Sequence, residues 1–536
     1  MKRDAGRSGL FRSLISFSSM TLVSRVLGLI RDLTINASFG ATAASDAFWV
    51  AFRIPNFLRR LFAEGSFASA FVPVLVEVKS RRPQELPAFV ANMLGILGAA
   101  LLVVTAAGVL LAPSVASVFS FGDTDGEKAQ LTSELLRITF PFIFFVSLTA
   151  LAGSILNSFQ KFAIPALTPV ILNICMIIGA VWGSKVANPP IVAMGWAVLI
   201  AGILQLIFQI PSLARLGLFV WPRWNWRDSE VRKVLRLMVP TLFGSSVAQV
   251  NLLFDTFLAA ALVAGSQTWL TQADRFLELP LGLFGIALGT VILPTLSRHH
   301  VSNDGGAFND TLDWGMRVTL MISAPAMVGL ATLAEPLVAT MFQRGKFTAF
   351  DTNMAGMSVL ALSVGLPAFA LVKVLVPAFF SRQDTSTPVR AGIASLVANA
   401  VFNVVLLGAL LSYKAQDWRD RGLMETLAST PGLHVALGLA SALASYVNVL
   451  LLWSALTKQK GYIRSTGWIS FLLRLCASCI LMGCAIYCGL YFAPDFTLSA
   501  EVVRIGWLTA LVALGSSVYV LSMLAFGFRP SDLSKL

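Results

Sequence analysis

Residues 18–32, SSMTLVSRVLGLIRD, and 45–74, SDAFWVAFRIPNFLRRLFAEGSFASAFVPV, set arginines inside apolar runs. Each run approaches the length of a membrane-spanning helix, which needs about 20 mostly apolar residues. Arg25, Arg31, Arg53, Arg59 and Arg60 lie in these two stretches, and Arg275 lies in a third apolar run. A charge at the centre of a spanning helix costs roughly 2.5–3.5 kcal/mol on insertion scales. A chain that carries several such charges is expected to line a water-filled cavity with them. A cationic cavity suits an anion, and guanidinium forks match phosphate oxygens best.

The rest of the composition agrees. Of 536 residues, 56% are hydrophobic and only 12% charged, against about 25% charged in ordinary soluble domains. The chain therefore reads as an all-α polytopic membrane protein. Its net charge of +13 would point to nucleic acid on a soluble protein. Here the excess falls largely in short loops, where it sets topology, so no nucleic-acid partner is expected. The N-terminal basic start and apolar run imitate a signal peptide. No A-x-A cleavage site follows and Arg25 interrupts the core, so the segment reads as an uncleaved first span.

About fourteen spans are expected: 14–39, 46–77, 88–112, 130–157, 162–184, 191–214, 233–263, 268–297, 310–334, 355–380, 387–412, 433–456, 468–492 and 502–526. Basic residues crowd alternate loops, among them Lys2 to Arg12, Lys79 to Arg82, Arg215 to Arg236 and Lys458 to Arg464. The positive-inside rule then places both termini in the cytoplasm. Trp221, Trp224 and Trp226 alternate with bases in 217–232, as in an amphipathic stretch lying on the cytoplasmic face.

An internal echo divides the chain. Asp32 and Asp255, Phe71-Val72-Pro73 and Ile292-Leu293-Pro294, Pro141 and Pro367, and Pro165 and Pro388 recur at nearly one spacing. The echo implies two parallel six-helix lobes around a central cationic cavity, a transporter pattern. The expected division is an N-lobe over 1–216, a cytoplasmic linker over 217–232, a C-lobe over 233–456 and two extra helices with a tail over 457–536.

In the first span Arg25, Gly28 and Asp32 share a face, and Arg31 lies about 9 Å along the axis from Arg25. Two cations at two depths could pass an anion along; the alternative is an Arg25–Asp32 pair that neutralises itself. The second span adds Asp46, Arg53, Arg59, Arg60 and Glu64, with Arg60 and Glu64 at i, i+4. The eighth adds Asp274, Arg275 and Glu278. A different set, Asp255, Asn399, Asn403 and Ser441, is neutral or acidic and could bind sodium; the alternative is a hydrogen-bonded cluster between helices.

Other chemistries find little support. Cys476 and Cys479 form a CxxC spacing, but four of the five cysteines sit in one apolar run, where they read as small packing residues. No GxSxG, HExxH or Walker A sequence occurs, so neither an enzyme nor an ATP-driven pump is expected. An exporter of cationic drugs would want an acidic cavity, contrary to the arginines.

The two opening stretches, with ADRFLELPLGLFGIALGTVILP (273–294) and FQRGKFTAFDT (342–352), closely resemble the lipid II flippase family MurJ, also called MviN. The resemblance implies a multidrug/oligosaccharidyl-lipid/polysaccharide exporter fold in the bacterial inner membrane. It implies transport of lipid-linked peptidoglycan precursor, lipid II, to the periplasmic leaflet, in contact with membrane lipids and cell-wall synthesis proteins. Substrate-binding positions carried over are Arg25, Arg31, Arg59 and Arg275, with Ser24, Asp32, Asp46 and Glu64 beside them. The last two helices would form a groove for the polyprenyl tail. Family members can bind sodium, and Asp255, Asn399, Asn403, Leu437 (through its carbonyl) and Ser441 match those positions. Asn403 stands where a sodium-binding relative has aspartate. No other cofactor is implied. A flippase for another undecaprenyl-diphosphate glycan, such as O-antigen, shares the same phosphate logic.

Overall fold

A computed structural model of the chain describes residues 23–59, 67–120, 126–282, 286–302, 304–416, 418–459, 462–463 and 465–528. All regular structure among the described residues is helical. The chain forms two compact units, Met1–Ala264 and Gly265–Leu536.

In the first unit α1 covers 23–39. It is followed by α2 (Ala43–Arg59), α3 (Ala68–Arg81), α4 (Leu86–Leu110), α5 (Ala112–Phe119), α6 (Glu127–Thr139), α7 (Phe142–Ser158), α8 (Ala163–Val181), α9 (Val192–Arg215) and α10 (Ser229–Ala260). The second unit opens with α11 (Ser266–Pro280), α12 (Ile286–Val301), α13 (Gly305–Thr332), α14 (Ala334–Phe342), α15 (Ala349–Ser363) and α16 (Leu366–Phe380). It continues with α17 (Ser386–Lys414), α18 (Trp418–Arg421), α19 (Leu423–Ser429), α20 (Val435–Gln459), α21 (Trp468–Phe492) and α22 (Glu501–Ala525).

Among the described residues nine helices are long and apolar enough to cross a membrane, or ten if the bent pair α15–α16 is one span. Each falls on an expected span. The expected count of fourteen is not reached among them. The remaining spans, 14–39, 46–77, 233–263 and 268–297, each include residues or side chains outside the described set.

Lipid offers helices little hydrophobic reason to associate, so small residues let backbones approach. A Cβ added at Gly179 of α8 would lie 2.8 Å from the Ala197 methyl of α9. One added at Gly365, at the α15–α16 bend, would lie 2.8 Å from the Ala442 backbone of α20. The echo in the sequence has a structural counterpart. Pro141 separates α6 from α7, and Pro367 starts α16 after a bend of 41°. Pro73 and Pro294 lie inside α3 and α12. The order of elements that begins at α1 thus restarts at α10.

The expected division lay at 217–232, with 233–263 opening the second lobe; the first compact unit runs to Ala264 and includes α10. Lys233 pairs with Glu77 at 2.6 Å and Glu230 with Arg82 at 2.6 Å. Near the other end Lys128 Nζ donates to the Ala260 carbonyl at 2.7 Å. α10 is therefore fastened to the first unit near both of its ends.

The linker itself carries no helix over 218–225. Trp221, Trp224 and Trp226 are exposed, with Trp224 and Trp226 stacked at 6.4 Å, as a segment resting at a membrane surface would be. The Arg223 amide donates to the Ala91 carbonyl of α4 at 2.9 Å. Asp228 then caps α10, accepting from the amides of Glu230 and Val231 and from Asn92 Nδ2.

The close approach of the linker depends on Gly95. A Cβ there would lie 2.1 Å from the Arg223 carbonyl oxygen. Overpacking of this kind typically costs about 1–3 kcal/mol. Gly95→Val is expected to lift the linker, lower the thermal midpoint in detergent and speed tryptic cleavage after Arg223 and Arg227. Equal cleavage rates in the variant and the parent would show that the linker is not held this way.

Candidate functional site

The first span builds its site from neighbours in sequence. Arg31 and Asp32 are both buried, 8% and 2% exposed. Arg31 Nε donates to Asp32 Oδ1 at 2.8 Å, and a terminal nitrogen lies 2.7 Å from the same oxygen. Its other terminal nitrogen donates to Asn173 Oδ1 of α8 at 2.9 Å. Asn173 Nδ2 in turn donates to the Ser24 carbonyl at 3.0 Å. One amide therefore clamps α1 at two points and satisfies a buried guanidinium. Removing a partner from such a pair typically costs 3–5 kcal/mol, because a charge is left without compensation. The Arg25–Asp32 alternative is not the arrangement found: Asp32 is engaged by Arg31, and Arg25 is exposed on α1.

In α2 the charges meet neutral partners as well. Asp46 is fully buried in the first turn, where a carboxylate complements the helix dipole. A terminal nitrogen of Arg53 donates to Thr256 Oγ1 of α10 at 3.0 Å. Arg59 Nε donates to Asn56 Oδ1 at 2.8 Å. Arg59 also borders a cavity of about 400 Å³ among α2, α7, α8 and α9. Its lining is rich in uncharged polar groups, including Thr149, Ser154, Asn157, Gln205 and Gln209. Gln205 Nε2 donates to the Thr168 carbonyl at 3.0 Å. Gln209 is buried, and its Oε1 has no hydrogen-bond partner. A cation beside hydroxyls and amides can hold an anionic group that carries a polar, uncharged attachment. Arg60 and Glu64 lie outside the described residues.

The second unit carries Arg275 on α11, where it pairs with Glu278 at 3.0 Å and stays partly exposed. Of the oxygen set expected for sodium, Asn399, Asn403, Leu437 and Ser441 lie on α17 and α20 of the second unit. Asn399 and Asn403 are fully buried on α17, and Ser441 of α20 donates to Asn399 Oδ1 at 3.4 Å. Leu437 is buried one turn before Ser441. Asp255 is on α10, in the first unit. Among the described residues no group of three or more His, Cys, Asp or Glu side chains could hold a metal. Cys476 is exposed and Cys479 buried, and neither is in a disulfide.

Several partners escaped the sequence reading. Asn173, Asn56, Thr256 and the Gln205/Gln209 pair carry no formal charge and so raised no alarm. A signal existed: Asn173 is the lone amide in the apolar run ALTPVILNICMIIG, and Gln205 and Gln209 stand at i, i+4.

Comparison with known proteins bears on what this site serves. The family model described as lipid II flippase MurJ matches residues 35–505. A probable lipid II flippase MurJ of Haemophilus influenzae is 40% identical over 532 residues, covering 96% of this chain and 99% of that protein. The corresponding protein of Vibrio cholerae is 42% identical, covering 98% and 97%. Lipid II flippase MurJ of Burkholderia cenocepacia is 37% identical, covering 97% and 98%. Among solved structures, lipid II flippase MurJ in an inward closed conformation superposes with a TM-score of 0.77 at 28% identity, covering 96% of this chain and 98% of that one. An inward-facing multidrug resistance MATE transporter of the MOP superfamily shares the fold, with a TM-score of 0.65 at 14% identity, covering 83% and 99%.

Asn173 offers a clean test of the clamp. Asn173→Ala removes an acceptor from the Arg31 guanidinium and a donor from the Ser24 carbonyl, and is expected to cost about 1–3 kcal/mol, read as a drop in the thermal midpoint. The double variant Arg31→Met/Asn173→Leu removes the charge together with its partner and should recover most of that loss. A double variant no more stable than Asn173→Ala would mean that the bond to Arg31 is not what Asn173 contributes.

Proposed function

The chain belongs to the lipid II flippase family, and we propose that it carries lipid-linked peptidoglycan precursor from the cytoplasmic to the periplasmic leaflet of the bacterial inner membrane. It is a transporter, not an enzyme. The reading is supported by one observation above others: arginines on apolar helices are held by polar neighbours, Arg31 by Asp32 and Asn173 and Arg59 by Asn56, and Arg59 borders a polar cavity.

The diphosphate is the part of the cargo that hydrocarbon excludes. In this proposal Arg25, Arg31, Arg59 and Arg275 take its oxygens, with Ser24, Asp32, Asp46 and Glu64 holding the guanidiniums in place. Arg31 would exchange part of its bonding to Asp32 and Asn173 for phosphate, so the charge is never stranded. The amides and hydroxyls beside Arg59 suit sugar or peptide groups. The polyprenyl tail remains in lipid along α21 and α22. Transport then proceeds by alternating access, with both termini in the cytoplasm. Moving negative charge outward is favoured by an inside-negative potential, at about 2.3 kcal/mol per charge per 100 mV. Enzymes that make and consume the precursor on the two leaflets are the natural partners.

Sodium belongs to the return step of the same proposal. The described oxygen donors on α17 and α20, Asn399, Asn403, Ser441 and the Leu437 carbonyl, include no carboxylate. Hard cations take such oxygens, and without a formal charge the hold would be weak. Asp255 is the acidic member of the expected set.

Two measurements follow. In reconstituted vesicles with labelled lipid II, Arg31→Ala and Arg59→Ala should each slow leaflet exchange roughly tenfold or more, as the loss of a charged hydrogen bond implies. The inserted, folded fraction should be unchanged for Arg59→Ala. A variant that transports at the parent rate removes that arginine from the mechanism. Transport of another undecaprenyl-diphosphate glycan at an equal rate would favour the broader substrate class. Separately, Asn403→Asp restores a charge to the oxygen set, and the half-saturating sodium concentration for transport should fall roughly tenfold. Transport that is identical in sodium and choline for both proteins would take sodium out of the cycle.

A further inference from the structure

A second cationic pocket lies away from the residues above, wholly within the second unit. It has a volume of about 320 Å³ and sits among α13, the start of α21 and the end of α22. Trp314, Arg317, Ser470, Phe471, Arg474 and Phe528 line it. No carboxylate lines it among the described residues.

Arg317 is fixed rather than free to sweep. A terminal nitrogen donates to Ser465 Oγ and to the Thr466 carbonyl, both at 2.8 Å. Its guanidinium lies 5.2 Å from the Trp468 ring and 5.7 Å from the Phe471 ring. Its Nε is buried with no hydrogen-bond partner. The nearby acid Asp313 is already engaged: it accepts from the Tyr462 hydroxyl, from the Ser465 amide at 2.6 Å and from Trp468 Nε1 at 3.2 Å. Asp313 is thus engaged by Tyr462, Ser465 and Trp468, and Arg317, which lines the cavity, makes no ion pair among the described residues. Arg474, one turn further along α21, is exposed at the same cavity.

The backbone adds to the field. α21 begins after Gly467, whose φ of 85° turns the chain sharply into the helix, and no side chain caps the start. The first amides of a helix have no acceptor within it, and a helix N-terminus favours anions. Two guanidiniums, a hydroxyl and open amides around one hollow are phosphate chemistry. The surroundings are lipid chemistry. Beside the pocket Ile469 is 71% exposed, Leu473 66% and Leu521 65%, and tryptophan and phenylalanine line the mouth as they do at membrane interfaces. A free phosphate would have no use for that apolar apron, whereas acyl chains would cover it.

We propose that this pocket binds the phosphate headgroup of an acidic phospholipid, whose acyl chains cover the exposed Ile469, Leu473 and Leu521 beside it. On the orientation proposed above, it is a lipid of the cytoplasmic leaflet. The site is separate from the arginines assigned to the cargo, and binding can be read without transport.

The full-length protein in an uncharged detergent would be titrated with phosphatidylglycerol, phosphatidylcholine, inorganic phosphate and undecaprenyl diphosphate, reading the thermal midpoint and the number of lipids retained by native mass spectrometry. Phosphatidylglycerol is expected to raise the midpoint saturably, while phosphatidylcholine and inorganic phosphate do not. Arg474→Gln, at an exposed position, should weaken the phosphatidylglycerol effect roughly tenfold, as the loss of one charged contact implies, and Arg474→Lys should keep most of it. Arg317→Gln adds a check, although Arg317 also braces 465–466. An equal response to phosphatidylcholine, or an unaltered response in Arg474→Gln, overturns the proposal. So does undecaprenyl diphosphate displacing phosphatidylglycerol from the parent but not from Arg474→Gln, which would make the pocket a cargo site.

Discussion

A guanidinium buried among apolar helices must never be left without partners, and the first unit is arranged around that requirement. Arg31 is satisfied by Asp32 on its own helix and by Asn173 on α8. Asn173 then reaches back to the Ser24 carbonyl, so the same amide fixes how α1 lies on α8. The charge and the packing are one device. Placing Arg31 in an apolar helix without Asn173 would leave a donor unmet and loosen the helix pair together.

α10 answers a related constraint. Through its position in the repeated order it starts the second half of the chain, yet its bonds tie it to the first unit. Glu230 and Lys233 pair with Arg82 and Glu77 near one end, Thr256 receives Arg53 deeper along the helix, and the Ala260 carbonyl receives Lys128 near the other end. Two of these contacts are exposed ion pairs, which typically contribute little to stability. The others are single hydrogen bonds. Beneath these polar contacts Val231 and Val234 are fully buried in the core with α3 and α4, and Ala260 is buried with α2 and α6, so apolar packing fixes the helix as well.

The helices were legible in the sequence because lipid enforces a length and a polarity that composition reports directly. The paired prolines were legible for a similar reason: Pro141 and Pro367 interrupt corresponding spans and the structure bends or breaks at both. What the sequence left hidden was pairing. From spacing alone Arg25, Gly28 and Asp32 share a face, yet Asp32 is taken by its immediate neighbour Arg31 because Asn173 draws that guanidinium toward α8. Charged residues announce themselves in an apolar run, while the neutral amides that serve them do not. The linker expected over 217–232 shows its aromatic and basic character in the sequence, but its docking on α4 depends on the missing side chain of Gly95.

Release constrains a carrier as firmly as capture does. A cavity of bare guanidiniums would grip a diphosphate too well, since several charged hydrogen bonds at about 1.5–3 kcal/mol each soon exceed what a membrane potential supplies per cycle. Partners already in place reduce that gain. In the proposed cycle, phosphate reaching Arg31 would displace part of the bonding to Asp32 and Asn173, and only the difference between the two sets would count toward affinity. Asn56 at Arg59 sets the same discount. Arg275 also pairs with the partly exposed Glu278, an ion pair of a kind that is worth little in solvent. On the proposed function, arginines that already have partners would give an anion places to bind without a place where it must stay.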